Sequence, residues 1–172
     1  MADVLASKLK CNFRPGKGEY VAGVGSLTGS DILIVKPVTY MNESGIAVAG
    51  IVEEFKVSYD RMLVVVDDFQ IPLGSLRMRP SGSDGGHNGL ISIIYQLQSD
   101  SFPRLRCGIG SPEMPQDRSL MADFVLSEFT SAERPAIEEM VVRAADACLS
   151  FVRDGIDKTM SAFNRKGEET SD

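Results

Sequence analysis

Met62-Leu63-Val64-Val65-Val66-Asp67-Asp68 is an unbroken apolar run closed by two carboxylates. That pattern predicts a strand buried on both faces, with its polar residues emerging at the carboxyl end. Strands of this kind sit in sheets covered by helices, and open α/β sheets place their sites at such ends. Downstream, Pro72 and Gly74 lead into an expected strand at Ser75 to Arg79 and a flexible stretch from Pro80 to Gly86. A helix from Asn88 to Gln98 and a strand from Leu105 to Gly110 follow. Beyond the loop Ser111 to Pro115, Phe124 to Leu126 is apolar. Ser131 to Arg153 has the period of one long amphipathic helix, and Gly155 to Phe163 that of a short one.

Upstream of the central run, Glu43 to Lys56 spaces Ile46, Val48, Ile51, Val52 and Phe55 as a helix, with Asn42 or Ser44 to cap it. The β-prone runs Glu19 to Gly25 and Ile32 to Val35 are separated by Ser26, Thr28, Gly29 and Ser30, which predicts a hairpin. Ala2 to Cys11 places Val4, Leu5 and Leu9 at helical spacing. Strands and helices alternate without an internal repeat or long linker. The expected fold is a single α/β domain over residues 1–164, a twisted mixed β-sheet flanked by α-helices, followed by a polar tail at 165–172 expected to be disordered.

With 172 residues, 43% of them hydrophobic, the chain is sized for one core. No apolar run approaches the ~20 residues that cross a bilayer. Met1 to Lys10 has no secretory pattern, so a soluble cytoplasmic protein with no membrane partner is expected. Cys11, Cys107 and Cys148 are far apart and there is a single histidine, which disfavours a disulfide framework or a Cys/His zinc site and predicts buried structural thiols. A net charge of −6 excludes a wholly basic nucleic-acid coat, so any RNA site must be a local patch.

Four stretches carry candidate chemistry. Gly85-Gly86-His87-Asn88-Gly89-Leu90 places the one imidazole between glycines and a helix start, where free N–H groups stabilise developing negative charge; a plain helix-capping turn fits the same residues. Asp67 and Asp68 can orient an imidazole or hold a metal, or simply end a strand. Tyr40-Met41-Asn42-Glu43-Ser44-Gly45 puts an amide at the mouth of a helix, as a substrate contact or an ordinary cap. Arg77 and Arg79 share one strand face by period two, as do Arg104 and Arg106; paired strands would make them a phosphate clamp, and unpaired ones would leave solvated edge charges.

Taken in order, Lys36-Pro37-Val38-Thr39-Tyr40-Met41-Asn42-Glu43-Ser44-Gly45, Val66-Asp67-Asp68-Phe69-Gln70-Ile71-Pro72-Leu73-Gly74, Gly85-Gly86-His87-Asn88-Gly89-Leu90 and Arg104-Leu105-Arg106-Cys107-Gly108-Ile109-Gly110 resemble the bacterial peptidyl-tRNA hydrolases. The resemblance runs from the first helix to Phe163. It implies a monomeric, cofactor-free and metal-free hydrolase whose partner is peptidyl-tRNA, and which cleaves the ester between peptide and tRNA. By motif position, Asp67, His87 and Asn88 resemble catalytic residues, with Asp67 orienting the principal histidine and His87 supporting the site. Tyr40, Met41, Asn42 and Asn88 fall where substrate is held, and Arg79 and Arg106 where the terminal tRNA phosphate is gripped.

The resemblance also implies an opening strand, a glycine-rich loop bearing an asparagine, and a segment with the principal catalytic histidine, none of which this sequence displays. Impaired turnover and unpaired sheet edges are the resulting expectations. Three rival readings differ in class. A binding-only relative would hold tRNA without chemistry, a metal hydrolase would use Asp67, Asp68, Asp84 and His87, and an esterase would use Ser44 and His87 but lacks the Gly-x-Ser-x-Gly elbow.

Overall fold

The computed structural model describes residues 1–164 other than 113, 116, 118 and 119. The expected tail at 165–172 therefore lies outside the described residues, as does part of the loop from Pro112 to Leu120. The elements are α1 (Ala2–Lys8), β1 (Arg14–Pro15), β2 (Tyr20–Leu27), β3 (Ser30–Pro37), α2 (Ser44–Phe55), β4 (Val64–Pro72), β5 (Leu76–Arg79), α3 (Asn88–Leu97), β6 (Arg104–Gly110), α4 (Met121–Leu126), α5 (Arg134–Asp154) and α6 (Ile156–Phe163), with single 3₁₀ turns at Met41–Glu43 and Tyr59–Arg61.

The α/β class holds, but the strands form two sheets where one was expected. In the first, β1, β2 and β3 are antiparallel, and the two-residue turn Thr28-Gly29 has positive φ at both positions, the geometry that matches strand twist in a hairpin. In the second, β6 lies between β4, which runs parallel to it, and β5, which runs antiparallel. No ladder joins β3 to β4 among the described residues. The sheets are united instead by a shared core, in which Ile34 of β3 meets Leu76 and Met78 of β5, Leu105 and Cys107 of β6, and Ala144, Ala147 and Cys148 of α5.

The central run behaves as a two-faced strand. Val65 packs against the cluster under α5, while Val64 and Val66 pack against Leu90, Ile93, Leu97 and Phe102 on the α3 side. Leu90 and Phe102 are fully buried, each contributing roughly 1.5–3 kcal/mol of apolar transfer. The strand starts later than expected and continues past Asp67 and Asp68, which lie within β4 rather than at its end. Its register with β6 nevertheless shifts between Asp68 and Pro72, so the regular ladder stops just beyond the aspartates.

α2 and α3 pack so closely that a Cβ on Gly45 would lie 2.2 Å from the Ser92 carbonyl oxygen. The Gly45 N–H donates to Ser92 Oγ at 2.9 Å, and this contact fixes the Met41 turn against α3. α5 is regular only from Arg134, later than the periodicity suggested, and Thr130 and Glu133 are bonded reciprocally in the turn before it: the Thr130 N–H donates to the Glu133 carboxylate, and the Glu133 N–H to Thr130 Oγ1. Phe124 to Leu126 lies in the short helix α4. Cys107 and Cys148 are buried thiols pushed up to about 12 by desolvation, whereas Cys11 is only half-buried, because the loop that carries it lies at the edge of the core. No helix among the described residues is long and apolar enough to cross a membrane.

Candidate functional site

Asp67 and Asp68 are adjacent on a strand, so their side chains leave it in opposite directions and find different partners. Asp67 Oδ1 lies 3.3 Å from His87 Nε2, at the long end of hydrogen-bond range. Asp68 is buried; its Oδ2 accepts from Arg106 Nη1 at 3.0 Å and its Oδ1 from the Gln70 N–H at 2.8 Å.

His87 is the N-cap of α3, and its Nδ1 accepts from the Gly89 and Leu90 N–H groups at 3.1 and 3.2 Å. Two donors aimed at Nδ1 leave no room for a proton there, which assigns the neutral ring to the Nε2–H tautomer. The ring therefore donates to Asp67, and its one lone pair is spent on the helix start. Two consequences differ from the sequence expectation. The Gly89 and Leu90 N–H groups are not free to receive an oxyanion, and the proton-accepting capacity in this pair belongs to Asp67. The His87 hydrogen bond, as the largest influence, holds the Asp67 carboxyl below its usual range, against a smaller opposing push from burial.

Beside the pair lies a recess of about 10 Å³, room for one water, lined in part by Asp67, Asp84, His87 and Arg106. Met41 lies against the start of α3: a Cβ on Gly89 would lie 2.7 Å from Met41 Sδ and 2.9 Å from His87 Cε1. Only a glycine at 89 lets thioether, imidazole and helix start converge. Tyr40 and Asn42 flank Met41 on the same turn and are exposed, and Asn88 is exposed in the first position of α3. None of these three side chains is bonded to Asp67 or His87. The structure thus joins Asp67 to His87 and sets Met41 against the same helix start, while Tyr40 and Asn42 stay exposed beside Met41 and Asn88 beside His87.

The two arginine pairs do lie on neighbouring strands. Arg77 stands opposite Arg106 and Arg79 opposite Arg104, all four on one sheet face. Like charges so placed repel, and the fold treats the two strands differently. Arg104 is 1% exposed and donates to the carbonyls of Ser83, Asp100 and Phe102, with its guanidinium 4.4 Å from the centre of the Phe102 ring. Arg106 is held by Asp68 and by the Ser83 carbonyl. Arg77 and Arg79 are exposed and bond to no described residue.

The metal rival finds no convergent ligand set: Asp68 is turned to Arg106, and Asp84 Oδ1 accepts from the Gly86 N–H. Among the described residues no group of three His, Cys, Asp or Glu has ligand-like geometry. Ser44 Oγ donates to the Met41 carbonyl rather than facing His87. Sequence reasoning missed Gln70, whose Nε2 donates to the Gly85 carbonyl at 3.0 Å, and the double-accepting Ser83 carbonyl. Gln70 is in phase with Asp68 on the strand, a weak signal; nothing in a sequence marks a backbone carbonyl.

Residues 1–171 match the family model described as Peptidyl-tRNA hydrolase. A peptidyl-tRNA hydrolase of Chlorobaculum parvum is 42% identical over 165 residues, covering 96% of this chain and 86% of that protein. One from Thermoanaerobacter sp. strain X514 is 41% identical over 162 residues, covering 94% and 85%. The crystal structure of peptidyl-tRNA hydrolase from Acinetobacter baumannii superposes with a TM-score of 0.88 at 27% identity, covering 95% of this chain and 82% of that one. In sequence over nearly its whole length, and in the arrangement of its elements, the chain belongs to the peptidyl-tRNA hydrolase family.

Proposed function

We propose that this chain hydrolyses the ester joining a peptide, or an N-blocked amino acid, to the end of tRNA, returning the tRNA to translation. The observation that carries this reading is the Asp67 carboxylate, held by His87 Nε2–H beside a water-sized recess. Asp67 takes a proton from water as that water attacks the ester carbonyl carbon. The Asn42 and Asn88 amides hold the peptide and the reacting carbonyl, with Tyr40 and Met41 as apolar walls. Collapse of the tetrahedral intermediate returns the proton to the departing sugar oxygen of the tRNA. Arg79 and Arg106 receive a tRNA phosphate, with Arg77 beside them; the Arg77 and Arg79 guanidiniums are exposed and unpaired among the described residues. Such a contact positions the substrate without reading its sequence. Arg106 is oriented by its pair with Asp68.

In this reading the protein is a cytoplasmic monomer that needs no metal or cofactor, and its turnover is slow. A carboxylate held below its ordinary range is a weak proton acceptor, and the only imidazole in the chain has its lone pair engaged. The test is release of the N-blocked amino acid from an N-acetyl-aminoacyl-tRNA, with chelator present and Asp67→Asn alongside. Slow, chelator-resistant release that the variant abolishes supports the reading. Salt-dependent tRNA binding without any release supports the binding-only alternative.

A further inference from the structure

β5 is an edge strand of the mixed sheet and carries both exposed arginines, Arg77 and Arg79. Antiparallel pairing turns the backbone groups of alternate residues toward the partner strand, and here the Gly108 N–H donates to the Ser75 carbonyl at 2.8 Å. Residues 75, 77 and 79 therefore aim their backbone groups at β6, and Met78 aims its own away from the sheet. Met78 is fully buried, so its outward N–H and carbonyl need partners within the protein. One side chain supplies both. Asn164 Oδ1 accepts from the Met78 N–H at 2.6 Å, and Asn164 Nδ2 donates to the Met78 carbonyl at 3.0 Å. A carboxamide carries the same donor and acceptor as a peptide group, so Asn164 takes the place of one residue of a further strand. It follows α6 directly, and its own N–H donates to the Met160 carbonyl. α6 is fastened in turn: the buried Thr159 Oγ1 lies 3.0 Å from Ser150 Oγ of α5, and Met160 and Phe163 pack against the core that holds Met78.

We propose that Asn164 is a positioning residue for the tRNA: by clasping the backbone of Met78 it holds β5 in place and sets Arg77 and Arg79 to receive a phosphate together with Arg106. The inference rests on the proposed tRNA contact and requires no chemistry at Asp67. The clasped groups belong to the peptide units that join Met78 to Arg77 and to Arg79, so the clasp acts on both arginines at once. The two stand about 7 Å apart along the strand and share its exposed face. Without the clasp, both guanidiniums shift together.

Binding of deacylated tRNA by the full chain, measured against salt, provides the test. It is run as a double-mutant cycle that combines Asn164→Leu with the paired Arg77→Gln and Arg79→Gln. In the wild-type background Asn164→Leu weakens tRNA about tenfold and lowers the slope of log affinity on log salt by roughly 1. In the background that lacks both arginines it weakens tRNA no further, because its effect passes through them. Amide exchange at Met78 quickens in the same variant. In peptide release KM rises about tenfold while kcat holds, the mark of lost binding rather than lost chemistry. Asn164→Ala, which admits water to Met78, serves if Asn164→Leu does not fold, and shifts affinity in the same direction. A folded variant with a lowered melting point and unaltered tRNA affinity would overturn the inference and leave Asn164 a structural clasp. Equal losses in both backgrounds would overturn it too, since the effect would then bypass the arginines. If the wild-type chain binds tRNA but releases no peptide, the proposed hydrolysis fails while the cycle still decides the role of Asn164; a wild-type chain that binds no tRNA overturns both.

Discussion

In the antiparallel sheet, all eight residues of β2 pair with all eight of β3 without interruption, whereas in the mixed sheet the β4–β6 ladder breaks between Asp68 and Pro72. The regular sheet contributes none of the residues gathered around Asp67. The broken one supplies Asp67, Asp68, Gln70, Arg77, Arg79 and Arg106, with His87 arriving on the loop between its second and third members in the chain. Regular pairing consumes backbone groups and fixes side chains in two flat rows. Strand alternation turns the two carboxylates to different partners just before the ladder breaks, and the loop that carries His87 supplies the rest of the site.

Substitutions in the two sheets therefore separate stability from chemistry. The largest effect falls on Asp67→Asn, which keeps the shape of the side chain and removes the proton acceptor: release of the peptide drops by ~100-fold or more, while the urea midpoint falls only slightly. Next comes Arg77→Gln combined with Arg79→Gln, measured as tRNA affinity against salt; the slope of log affinity on log salt falls by roughly 2, one for each lost phosphate contact. His87 is then divided into its two roles by a pair of variants. His87→Ala loses the helix cap and about 1 kcal/mol of stability in denaturant melts, while His87→Asn restores a cap but not the contact to Asp67, so its melt recovers and its release does not. The smallest effect belongs to the regular sheet. Tyr20 Oη donates to Glu54 at 2.9 Å, so Tyr20→Phe costs about 1 kcal/mol in a melt and leaves release unchanged. Loss of release there would erase the contrast between the sheets.

Much of this was legible in the residues. The apolar run into Asp67 and Asp68, the hairpin about Thr28 and Gly29, and the periods of α2, α3, α5 and α6 are local patterns, and local patterns survive folding. The ordered motifs likewise pointed to the family. What could not be read was pairing between distant elements. That β3 and β4 lie in separate sheets depends on ladders formed across the chain, and that Arg106 is occupied while Arg77 is not depends on which strand Asp68 faces. The tautomer of His87 is another case: the sequence places a histidine before a helix, but only the geometry of the Gly89 and Leu90 N–H groups shows where its lone pair goes.

The central claim is that Asp67, oriented by His87, is the proton acceptor. Because His87 lowers the Asp67 carboxyl below its ordinary 3.8, the ionised form and the stability it brings are fully present above that value, and both are lost as pH falls through the depressed one. The most direct measurement is the pH dependence of peptide release by the 172-residue chain, corrected for uncatalysed ester hydrolysis. The account predicts a rate that is flat from about pH 5 to 8 and declines only in the acid range of a lowered carboxylate. A rate that climbs through about pH 6.5 would contradict it, because that limb belongs to an imidazole base.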